Sequence, residues 1–75
     1  MKHFQFTYTR TTKSGEIIDH NVGTTSGHTE KSVRHAIVKR FGLQSWSPWR
    51  KINRGFVKTA NAHDYCGKIT LEKIL

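Results

Sequence analysis

Seventy-five residues make a single domain, and a chain this short buries only about 60% of the surface that its unfolded form exposes, which argues against a deep enclosed substrate pocket. Thirteen Lys and Arg stand against five Asp and Glu, giving a net charge of +8 and an isoelectric point near 10.2, so the natural partners are polyanions: nucleic acid, an acidic protein surface or an anionic membrane. A single cysteine, Cys66, excludes an intrachain disulfide, and the sequence has no run of about 18 apolar residues that could cross a bilayer as a helix.

From the N-terminus, HFQFTYTRTT over residues 3–12 alternates Phe4, Phe6 and Tyr8 with His3, Gln5, Thr7 and Thr9, the period-2 pattern of a half-buried strand. The same alternation, in place of an uninterrupted apolar leader, is expected of an intracellular, cytoplasmic chain. Lys13–Glu16 (KSGE) supplies a turn, and EIIDHNVGT from residue 16 reads as a second strand, so the first two elements form a β-hairpin. In that second strand Ile18, His20 and Val22 share one face and Ile17, Asp19 and Asn21 the other, so the pattern leaves its inward face open.

A loop, TSGHT, leads to Thr29, which is suited to cap a helix whose positive end Glu30 complements. Val33, Ala36, Ile37 and Phe41 follow the spacing of a buried helical stripe, and Gly42 ends it after Lys39 and Arg40, so the helix is expected over residues 30–41. Lys31, His35 and Lys39 fall on the opposite side, with Arg34 on the flank and Arg40 at the edge of the stripe.

Next comes QSWSPWRKINRG over residues 44–55, with two tryptophans, a proline and three cations. Ser47-Pro48 favours a turn, which assigns Trp46 to the core near Phe41 and Leu43 and Trp49 to the basic surface. FVKTA at 56–60 and KITLEKIL at 68–75 read as strands, the latter with a short helix as its alternative, and NAHDYCG between them as a loop. The fold class expected is α+β, in the order β-β-α-β-β, with one helix on one face of an antiparallel sheet and one domain over residues 1–75.

The chemistry-bearing residue types are scattered. His63 and Cys66 have a spacing that zinc sites use, but no second close pair completes four ligands, so neither metal nor cofactor is expected. Nucleophilic catalysis at Cys66 lacks a positioned base, and five dispersed acids do not form a hydrolytic pair. A metal-free ribonuclease needs only a histidine among cations; His20, His35 and His63 are the available bases, and nothing selects one of them. Glycine loops that cradle phosphate and the sequence signatures of common nucleic-acid-binding domains are absent. A lipid-surface role would need an apolar helix stripe that the core already uses. The expectation is therefore a protein that is not an enzyme and not membrane-bound.

Charge distribution is the informative feature. From Lys31 to Lys58 the chain carries Lys31, Arg34, Lys39, Arg40, Arg50, Lys51, Arg54 and Lys58 and no acid. Of these, Lys31, Arg34, Lys39, Arg50, Lys51, Arg54 and Lys58 are the expected phosphate contacts, and Trp49 the base-stacking ring, of a nucleic-acid-binding module with weak sequence preference. Four or five such contacts correspond to a log-log salt slope near about −4 on duplex DNA. The alternative uses the same charges on another partner: a small interaction or inhibitor protein, such as a phage or mobile-element accessory factor, docking on an acidic protein or nucleoprotein surface. DNA versus RNA and the oligomeric state are left open.

Overall fold

In a computed structural model, which describes residues 1–74, the elements run β1 (Lys2–Thr11), β2 (Ile17–Gly27), α1 (Glu30–Phe41), β3 (Arg50–Ile52), β4 (Gly55–Asn61) and β5 (Cys66–Lys73). All strand pairs are antiparallel, and the sheet order is β2-β1-β5-β4-β3. This is the expected α+β architecture with the helix against one face of the sheet. The structure adds β3, paired to β4 through the two-residue connection Asn53-Arg54. The C-terminal segment is strand, not helix, as far as Lys73; Leu75, the end of the expected element, lies outside the described residues.

The core forms between the helix and one sheet face. Phe4, Phe6 and Tyr8 of β1, Ile69 and Leu71 of β5, and Val33 and Ile37 of α1 are each at most 4% exposed. Alternation along β1 places three large rings on the helix side, and each fully buried apolar side chain contributes about 1.5–3 kcal/mol. Thr29 accepts from the Ser32 amide at 3.0 Å, and the Thr29 amide donates to the Ser32 hydroxyl at 3.2 Å, a reciprocal cap that fixes where the helix begins. Gly42 ends it at φ 67°, a left-handed conformation that a side chain would strain.

β2 resolves the face that its sequence left open. Its pairing with β1 puts Asp19, Asn21, Gly23 and Thr25 on the helix side, opposite Arg10, Tyr8, Phe6 and Phe4, and puts His20, Val22 and Thr24 on the outer side. The bulky rings of β1 need small neighbours: a side chain at Gly23 would crowd the Phe6 ring. A register shift between Arg10 and Thr11 then leaves Ile17 and Ile18 at the sheet edge. Ile17, Ile18 and Val22 are 68%, 47% and 50% exposed.

The QSWSPWRKINRG stretch closes the core beside the helix. Leu43 and Trp46 are buried, and the Ser47 amide donates to the Thr59 carbonyl of β4 at 2.9 Å. Trp46 stacks on Tyr8 with ring centroids 5.9 Å apart. It lies directly over Gly67 of β5, where a Cβ would overlap the indole. Among the described residues no helix is long and apolar enough to cross a membrane.

Candidate nucleic-acid interface

Beside the helix, on the β3–β4 side, aromatic rings and cations alternate. Arg34 projects from the flank of α1 and places its guanidinium 4.3 Å from the centroid of the Phe56 ring. Trp49 meets the same ring edge-on at 6.5 Å, and the Lys58 ammonium lies 5.4 Å from the Trp49 centroid. Such cation–ring contacts contribute about 0.5–2 kcal/mol each and hold the long side chains in place. Lys51 is the register partner of Phe56, so alternation directs it to the same face of the sheet as Phe56 and the helix.

The N-terminal end of this cleft is a shallow depression of about 140 Å³ whose lining includes Glu30, Lys51, Arg54, Phe56 and Lys73. Glu30 is the one acid of that lining, and Lys73 engages it at 3.1 Å. That hydrogen-bonded pairing, reinforced by the charges of Lys51 and Lys2, holds the Glu30 carboxyl below the usual carboxylate range. With Glu30 matched by Lys73, the charges of Lys31, Arg34, Lys51 and Arg54 stand in excess around the aromatic wall. Lys31 is one helical turn before Arg34 and exposed, and Arg54 is exposed in the β3–β4 turn.

Three of the residues expected at the interface sit elsewhere. Arg50 faces the opposite side of the sheet from Lys51, because neighbours in a strand point to opposite faces; it pairs with Val57, which is on the outer face and only 5% exposed. Lys58 is 8% exposed, packed in the helix–sheet layer beneath Trp49, and burial pushes its ammonium below the usual lysine value. It is a supporting side chain of the wall and not a freely exposed phosphate contact. Lys39 is exposed on α1, two turns from Lys31 and away from the depression. Trp49 is half-buried: one part of the ring is committed to Phe56 and Lys58, and the rest is open to solvent.

One participant was missed in the sequence: Phe56, which carries the Arg34 guanidinium. Arg40, expected at the edge of the apolar stripe, lies there over Phe6 and Phe41 at 5.1 and 5.3 Å, away from the cleft. Asn53-Arg54-Gly55 between KI and FV is the signal that was available, since a two-residue turn there sets Lys51 opposite Phe56.

The histidines and Cys66 do not converge. Cys66 is on the outer sheet face, its thiol 3.7 Å from the Asn61 side chain, and His63 is exposed in the β4–β5 loop. His20 is tied to Thr9 at 3.0 Å on the outer face, while His35 is on the outer side of α1. Among the described residues no three His, Cys, Asp or Glu side chains group as metal ligands would. Comparison with protein-family models, with curated proteins and with solved structures finds no match to this chain.

Proposed function

We propose that the protein is a non-enzymatic nucleic-acid-binding module that takes the phosphate backbone along the cleft between α1 and the β3–β4 hairpin. The observation that carries this reading is the convergence of Arg34 and Lys51 on the Phe56–Trp49 wall, with Glu30 already matched by Lys73. Lys31, Arg34, Lys51 and Arg54 are assigned to phosphates. The open part of Trp49 is assigned to an unpaired base, whose stacking is worth about 1–3 kcal/mol.

This mode of binding depends on charge. No side chain is assigned to a base edge, so sequence preference is weak, and each neutralised phosphate releases counterions. Four contacts give a log-log salt slope near about −3.6 on duplex DNA and about −2.8 on single strands. A salt series on single- and double-stranded DNA and RNA, read by tryptophan fluorescence, tests the reading. Binding with these slopes and quenching of Trp49 supports it; a slope near zero, or no binding at about 50 mM salt, overturns it.

The same cations would also suit an acidic protein or nucleoprotein surface. Affinity capture from nuclease-treated lysate separates the two, since a protein partner that survives nuclease favours the second. An intracellular setting, where either partner is found, goes with both.

A further inference from the structure

The sheet has two edges of opposite character. β3, at one end, is three residues long, follows Pro48 and consists of Arg50, Lys51 and Ile52. Short length, proline and cations are the usual protections against unwanted strand pairing. β2, at the other end, is eleven residues long, has neither proline nor cations, and is irregular only at its Ile17 end. Among the described strands it is the one without Lys or Arg, and Asp19 is its only acid. Alternate residues along its free side present amide and carbonyl groups outward. Its exposed apolar side chains, Ile17, Ile18 and Val22, are three of the five large ones on the described surface.

We propose that two copies of this chain pair through β2, antiparallel and centred on Val22, joining two five-stranded sheets into one of ten strands. The symmetry of β2 about Val22 selects the occupant, and charge selects the place. Two molecules of +8 repel wherever their cations face each other, and β2 is where that repulsion is weakest. Geometry selects the register. Val22 is the midpoint of Ile17–Gly27, so pairing about it uses the whole strand and sets one Val22 against the other on the outer face. Asp19 then faces Thr25 of the second copy, whereas a pairing centred on residue 19 would oppose the two carboxylates. Ile18 falls opposite Ser26 of the second copy. Ser26 borders a groove of about 310 Å³ lined by His3, Thr24, Thr25 and Ile74, the last 44% exposed, so Ile18 at one end of β2 meets a groove whose one apolar side chain, Ile74, is open to it at the other. The protected β3 edge keeps the assembly closed at two copies.

Sedimentation equilibrium from about 1 µM to about 1 mM tests this, since that range brackets the dissociation constants of weak to moderate dimers. The wild-type chain is expected to approach twice 8.7 kDa with rising concentration, and Val22→Lys to stay at 8.7 kDa with an unchanged circular-dichroism spectrum. Val22→Cys in a Cys66→Ser background should form an intermolecular disulfide on mild oxidation, because facing Cβ atoms in such a pair approach to about 4.5 Å, at the upper limit of disulfide geometry. A wild-type chain that remains monomeric overturns the proposal and leaves the edge to a foreign strand. A dimer that survives Val22→Lys also overturns it, as does a Val22→Cys variant that dimerises without cross-linking. These readouts need no nucleic acid, so failure here is separate from failure of the binding reading.

Discussion

Arg50 and Lys51 are neighbours in the chain and face opposite sides of the sheet, so their substitutions should separate. Lys51→Ala is expected to weaken nucleic-acid binding about threefold to tenfold and to lower the magnitude of the salt slope by about 1. Arg50→Ala should leave the affinity within about twofold, and the pair is checked by titration at two salt concentrations. Lys58 supplies a test of the wall. Because burial lowers its proton affinity in the folded state, the unfolded chain binds that proton more tightly. Folding stability should therefore rise as pH climbs from the folded value toward the ordinary lysine value of 10.5. Lys58→Met is expected to be more stable than wild type at neutral pH, with the gap closing as pH approaches about 10.5. Urea melts at several pH values decide it, and a less stable Lys58→Met at neutral pH would mean that the ammonium–Trp49 contact outweighs the lost hydration. For the tryptophans, Trp46→Ala should cost about 3–5 kcal/mol by denaturant melt, since it empties the space over Gly67. Trp49, half-exposed, carries less of the fold and more of the fluorescence response to ligand.

At the scale of elements, α1 was the most legible part of the sequence. Thr29 at its start, the apolar spacing within it and Gly42 at its end are all local signals, and the helix occupies the residues they indicate; of the expected stripe, Val33, Ile37 and Phe41 face the core, whereas Ala36 is exposed and Val38 packs in its place. Thr29→Ala removes the acceptor of the Ser32 amide and should cost about 1 kcal/mol, read as a lower urea midpoint with an unchanged slope. The Glu30–Lys73 pair fastens the helix start to β5 across the cleft. Since the folded carboxyl has the lower pKa, its contribution is present above the ordinary carboxylate value and is lost as pH falls through the folded one. Glu30→Gln should therefore flatten the acid side of the stability profile. β3 was not legible, because a strand of three residues with two cations has no period of its own. It exists through its pairing with β4, and only that pairing decides which of Arg50 and Lys51 shares a face with Phe56.

The two faces of the whole molecule differ in kind. The helix side carries the cleft, whereas the uncovered outer face is mostly threonine and other polar residues, with Thr7, Thr9, Lys68, Thr70 and Glu72 grouped on it and no Phe, Tyr or Trp in its rows. Lys68→Ser should accordingly leave nucleic-acid affinity and its salt slope unchanged, as Arg50→Ala does, while Arg34→Ala combined with Lys51→Ala should lower the slope magnitude by about 2. Composition alone carries the proposal of a polyanionic partner, because net charge acts at a distance and does not depend on how the chain is arranged. Short-range order along the chain determined the hairpin, the helix and its caps, since their periods and end residues are contiguous. Tertiary structure decided the rest. It seated Trp46, which the sequence assigns to the core, over Gly67, 21 positions away, where there is room for the indole, and it turned β2 so that small residues meet the β1 rings and its isoleucines lie at the open edge. Within QSWSPWRKINRG it parted Arg50 from Lys51 and set Lys58 from the next strand beneath Trp49. Each of these outcomes rests on a contact between distant segments, and a local pattern carries no record of such contacts.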